Sequence, residues 1–76
     1  MKEFIEYLIK NLVEDPHSVQ ISLVDKEEVT IVEIRVAQPD IAKLVGRQGR
    51  TINALRTIAM TIGARFGRRV RLEVMQ

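Results

Sequence analysis

The residues Gly46-Arg47-Gln48-Gly49, followed by Arg50, are the part of this sequence best suited to chemistry, and that chemistry is anion binding. Two glycines bracket two polar residues. Glycine permits the tight, partly left-handed turn that joins two helices, and it leaves no side chain between backbone and ligand. A helix beginning just after the loop aims its free N–H groups and the positive end of its dipole at the same spot. Arg47 and Arg50 add charge on either side. By itself the pattern is common: with glycine at about 7% of residues, a chain of this length contains Gly-x-x-Gly by chance roughly a third of the time. In a plainer reading Gly46 caps one helix and Gly49 relieves a tight corner. That reading leaves the polar, basic interior of the loop unexplained. Other phosphate loops fit poorly. A Walker loop has a longer spacing that ends in Lys and Ser or Thr, and a dinucleotide fingerprint needs a third glycine inside a βαβ unit.

The elements around the loop follow from hydrophobic periodicity. Phe4, Ile5, Leu8, Ile9 and Leu12 recur at three and four and predict a helix over 3–13. Asp15-Pro16 should end it, because the residue before proline avoids the helical region. Residues 18–24 alternate, with Val19, Ile21 and Leu23 on one side, as in a half-buried strand. After a polar turn at Asp25-Lys26-Glu27-Glu28, a second strand is expected over 29–37. It places Val32, Ile34 and Val36 inward and Glu33 and Arg35 outward. The two runs suit an antiparallel hairpin. Gln38-Pro39-Asp40 looks like a helix start, with Asp40 as a cap near its positive end. A short helix over 40–45 would end at Gly46. A longer one begins near Arg50, with Ile52, Leu55, Ala59, Ile62 and Phe66 in one arc, and it stops at Gly63 or Gly67. Residues 69–75 alternate again, with Val70, Leu72 and Val74 inward. The order helix, strand, strand, helix, helix, strand predicts one α+β domain over residues 1–76, with helices on one face of a three-stranded sheet.

Charge is divided along the chain. Net charge is +2, but residues 1–41 carry four Lys or Arg against nine acids, and residues 42–76 carry eight against Glu73 alone. The basic half contains the loop, which suggests that one end of the molecule meets a polyanion. A solvated basic surface balancing an acidic one is the alternative. There is no cysteine and a single histidine, His17, so neither a disulfide nor a metal or cofactor site is expected. No apolar run reaches the length of a membrane span. The first 13 residues lack the features of a signal peptide, so a cytoplasmic protein is expected. Ser18 and Ser22 have no evident base and His17 sits in a turn, so catalysis is not expected.

The run Val45-Gly46-Arg47-Gln48-Gly49-Arg50-Thr51-Ile52, set in this order of elements, resembles a KH domain of the type II arrangement. Over its whole length the chain is similar to the small free-standing bacterial KH proteins of the KhpA type. The resemblance implies binding of single-stranded RNA, as a broad-specificity RNA chaperone or post-transcriptional regulator. KH domains clamp the backbone of about four nucleotides with the GXXG loop, and the bases enter an apolar groove. Carried over, Gly46, Arg47, Gln48 and Gly49 are that loop, with Arg50 and Lys43 beside it. The groove would lie between the helices flanking the loop and an edge of the sheet. Ile41 and Val45 are candidates for its floor; Leu44 and Ile52 read better as core. Binding should be weak, salt-sensitive and loosely sequence-specific. Single-stranded DNA is an alternative ligand.

Small domains need supplementary burial, and the helix after the loop offers a place for it. Ala54, Ile58, Thr61 and Arg65 form a stripe beside its core arc. Ile58 is either edge core or part of a dimer face. The resemblance implies homodimerisation and pairing with a second KH-domain protein, which makes a protein-interaction module the alternative function. Arg68, Arg69 and Arg71 around the last strand either extend a nucleic-acid path or form a solvated sheet face.

Overall fold

A computed structural model of the chain describes residues 1–75. The expected domain over 1–76 includes Gln76, which lies outside them. Alternation and helical periodicity produce the elements in the expected order: α1 (Lys2–Lys10), β1 (Gln20–Asp25), β2 (Val29–Arg35), α2 (Ile41–Val45), α3 (Arg50–Arg65) and β3 (Arg69–Val74). Short 3₁₀ turns occupy Pro16–Ser18, Gln38–Asp40 and Arg47–Gly49. β1 and β2 form the antiparallel hairpin, with Ile21 opposite Ile34 and Leu23 opposite Val32. β3 joins the other side of β2 in parallel, with Leu72 beside Val32. The sheet is mixed, in the order β1-β2-β3, so β1 and β3 each keep a free edge.

One apolar cluster lies between the sheet and the helices. Ile5 and Ile9 of α1, Leu44 of α2, and Ile52, Leu55 and Ala59 of α3 meet Ile21, Val32, Ile34, Val70 and Leu72 of the strands. This is the α+β arrangement with helices on one face that the sequence predicts.

Several boundaries and burials differ from expectation. α1 ends at Lys10 rather than at 13. The Asn11 side chain donates to the Tyr7 carbonyl at 2.8 Å and competes for the last turn. Phe4, expected in the core, is 46% exposed, because Ile5 and Ile9 are the α1 residues that reach the cluster. Phe66, also expected in the core, is 78% exposed. It is the C-cap of α3, with φ −104°, so helical spacing no longer sets its direction. Leu23 is half open on the edge strand β1.

α3 runs through Gly63 and stops before Gly67. The Arg68 N–H bonds the Gly63 carbonyl and the Gly67 N–H bonds that of Ala64, a Schellman arrangement with Gly67 at φ +70°. Gly63 serves another purpose. A Cβ there would lie 2.4 Å from Val70 Cγ2, so the missing side chain lets α3 approach β3 closely.

Asp40 is not the helix cap it was expected to be, since no side chain caps α2. Its carboxylate is buried and accepts the N–H groups of Glu14 (3.1 Å) and Asp15 (3.0 Å). It ties the segment after α1 to the start of α2. Arg68 acts similarly at the opposite end of β2. Its Nε donates to Thr30 Oγ1 at 2.8 Å and its Nη2 to the Lys26 carbonyl at 2.7 Å. The buried Thr30 hydroxyl in turn donates to Asp25 at 2.7 Å.

Candidate nucleic-acid interface

The turn between α2 and α3 is built from unusual backbone. Gly46 has φ +80° and ψ 174°, Gln48 has φ +57°, and Gly49 has φ +74°. Gly46 also packs tightly. A Cβ on it would lie 2.3 Å from Thr51 Oγ1 and 2.9 Å from the Thr51 nitrogen. No side chain other than glycine fits that corner, so Gly46 does more than cap α2. Gln48 is the one non-glycine residue with positive φ among the described residues. Such strain is held where surrounding structure fixes it, and it concentrates at functional sites. α3 starts at once after the loop and no side chain caps it. The Arg50 N–H bonds the Arg47 carbonyl within the turn, and the positive end of the helix dipole faces the loop, where it favours an anion.

The candidate side chains are dispersed around this turn. Arg47, Gln48 and Arg50 are exposed, and Arg50 Nη2 reaches Gln48 Oε1 at 3.4 Å. Arg50 also lines a cleft toward Leu8 and Leu12 of the α1 segment, so it leans to that flank. Lys43 is exposed but pairs with Glu14. Ile41 and Val45 are half-buried beside the loop. Leu44 and Ile52 are core, as the plainer reading holds.

A cleft lies between α3 and a sheet edge, where the resemblance implies a groove, but its lining differs from the residues expected for its floor, Ile41 and Val45. Asn53, Arg56, Met60 and Ala64 recur at three and four along α3 and form one stripe from the loop onward. A cleft of about 260 Å³ lies between this stripe and β3, lined by Arg56, Met60, Val70, Arg71 and Leu72. The Arg69 and Met75 N–H groups bond carbonyls of the β2 side. Backbone groups alternate along a strand, so those of Val70, Leu72 and Val74 point to the free edge and into the cleft. The helical stripe was visible in the sequence. What was not visible is that β3 pairs in parallel at the edge and so runs beside that stripe.

On the other flank of α3 the surface is apolar. Phe4, Leu12, Ile58 and Phe66 are exposed there. Ala54 and Ile58 face Leu8 and Leu12 across one cleft, and Ile58, Thr61, Ile62 and Arg65 face Phe4 across a second. The Thr57 and Thr61 hydroxyls donate to carbonyls one turn back, at 3.1 and 2.8 Å. Their donors are thereby satisfied within the helix.

A family model described as the KhpA/KhpB KH domain matches residues 2–74. The chain belongs to that family. Similar relatives run end to end with it. The RNA-binding protein KhpA of Chlamydia pneumoniae is 47% identical over 76 residues, covering 100% of this chain and 97% of the relative. The RNA-binding protein KhpA of Clostridium acetobutylicum is 37% identical over 75 residues, covering 99% and 100%. That of Aquifex aeolicus is 36% identical over 76 residues, covering 100% and 96%. In this KH domain the Gly-x-x-Gly pattern falls between α2 and α3. No helix among the described residues is long and apolar enough to cross a membrane.

Proposed function

We propose that the chain binds single-stranded RNA, with Gly46, Arg47, Gln48 and Gly49 clamping the phosphate backbone and bases entering the cleft at the free edge of β3. The observation that carries this reading is the start of α3, without a side-chain cap, directly after a strained glycine loop and on the same helix as a cleft lined by Arg56 and Arg71. Phosphate meets the positive end of the α3 dipole and arginines there. Bases meet Leu72, Met60 and unpaired main-chain groups. Lys43 and Arg50 flank the loop and add long-range attraction, and Ile41 and Val45 border its near side. Backbone contacts dominate such a site, so affinity is salt-sensitive and sequence preference broad. That profile suits a cytoplasmic RNA chaperone or post-transcriptional regulator. The relatives' shared name, RNA-binding protein KhpA, supports the same ligand. Arg47→Asp with Gln48→Asp tests it by filter binding. The expected result is a roughly 100-fold loss of RNA affinity with an unchanged circular dichroism spectrum. Unchanged affinity with an unchanged spectrum overturns it.

The apolar flank of α3 favours a second property. We propose that Ala54, Ile58, Thr61 and Arg65, joined by Phe4 and Leu12, seat a second KH domain, either another copy of this chain or a different KH protein. Four large exposed apolar residues on one side of so small a domain support this. Pairing would also bring two weak RNA sites onto one strand. Analytical ultracentrifugation of Ile58→Asp tests it. The parent should sediment as a pair and the variant as a single chain, with the dissociation constant raised roughly 100-fold. A parent that is a single chain at high concentration overturns it.

A further inference from the structure

The cleft beside β3 continues past Met60. A second stretch of about 460 Å³ is lined by Met60, Ala64, Arg68, Arg69, Val70 and Arg71. It shares Met60, Val70 and Arg71 with the stretch nearer the loop, so the two are one trough. Along α3 the trough runs from Arg56 to Ala64, a rise of about 12 Å. No acid lines either stretch. Among the described residues neither Arg56 nor Arg69 has an ion-pair partner. Arg68 is committed to Thr30 and the hairpin turn, so its stem forms a wall and Arg69 supplies the free charge at the far end.

Resting on the RNA reading above, we infer that this chain binds a strand longer than the four or so nucleotides a GXXG groove holds. The additional nucleotides run along α3 past Met60 and Ala64 and deliver a phosphate to Arg69. Two observations favour RNA as the occupant. Every charged residue of the lining is basic, and the trough begins at Arg56, on the α3 stripe that starts with Asn53 beside Gly49. An extended acidic peptide adding to the β3 edge is the competing occupant, and the test separates the two.

The experiment compares random-sequence single-stranded RNAs of about four nucleotides and of twice that length, by fluorescence anisotropy. The longer strand should bind roughly tenfold more tightly than its additional registers alone, a factor of about five, would give. Arg69→Glu should erase that gain and leave the short strand unaffected. Ala64→Glu, at an exposed helix position that tolerates glutamate, should do the same and guards against a folding defect in the first variant. A gain no greater than that register factor overturns the inference, and so does an Arg69→Glu variant that weakens both alike. In those cases the loop reading survives if Arg47→Asp with Gln48→Asp still abolishes binding. Failure of both strands to bind overturns the loop reading and this inference together. A polyglutamate peptide whose binding depends on Arg69, with no gain from RNA length, overturns it in favour of strand addition.

Discussion

On one flank of α3, Arg56, Met60 and Ala64 border a trough whose charged residues are all basic. On the other flank, Ala54, Ile58, Ile62 and Phe66 border apolar clefts shared with the α1 segment. The two surfaces lie back to back on a single helix. In the proposed function, RNA on the first would be held by charge and unpaired main-chain groups and would weaken as salt rises. A second KH domain on the other would be held by burial of apolar area, which salt leaves intact. α3 would then separate two modes of association that respond to different conditions, and a change on one flank should leave the other working.

That separation can be broken in graded ways. The largest effect is expected from Gly46→Ala. A methyl group there overlaps Thr51 and must adopt positive φ, costing about 3 kcal/mol of stability from strain and overpacking combined. Urea denaturation should show the loss. At low denaturant the variant should keep its sedimentation behaviour while RNA affinity falls; loss of pairing first would mean that the flanks are coupled through the loop. Asp40→Ala comes next. It strands the Glu14 and Asp15 N–H groups and should lower stability by about 2 kcal/mol. Because Asp40 fixes α2 to the segment after α1, both flanks should weaken together, and a thermal melt beside both binding assays checks this. Thr61→Val should have the smallest effect. The hydroxyl already bonds within the helix, so stability should change by less than about 0.5 kcal/mol and pairing should hold or tighten slightly. A tenfold weakening of pairing would show that the flank depends on that hydroxyl rather than on apolar burial.

Much of this arrangement was legible in the residues themselves. The alternation of Val19 and Ile21 with polar neighbours, and the spacing of Ile52, Leu55 and Ala59, report a buried face directly, and all five are core. The turn at Gly46–Gly49 was legible because only glycine meets its geometry. What escaped were facts set by distant partners. Asp40 near a helix start reads as a cap, yet its acceptors are used by backbone twenty-five and twenty-six residues away. Phe66 fits the helical arc by count, but the helix ends first. Arg68 is indistinguishable from Arg69 in the sequence. One is bound into the hairpin turn and the other is free, because only Arg68 follows the glycine that reverses the chain. The trough depends on which strand edge lies beside Met60, and strand order is not written in any one segment.

The parallel pairing of β3 with β2 also bears on how the molecule is made. An antiparallel hairpin such as β1–β2 closes locally and early. β3 cannot take its place until the intervening residues 36–68 have been laid across the sheet, and such closure over a long chain separation is slow. α2, the loop and α3 are that intervening chain. The glycine turn must therefore be close to its final shape before the sheet can complete. Residues that shape the turn, Gly46 and Thr51 first among them, should govern the rate of folding as well as the final stability. During synthesis, the last strand would dock only after the glycine loop had already formed.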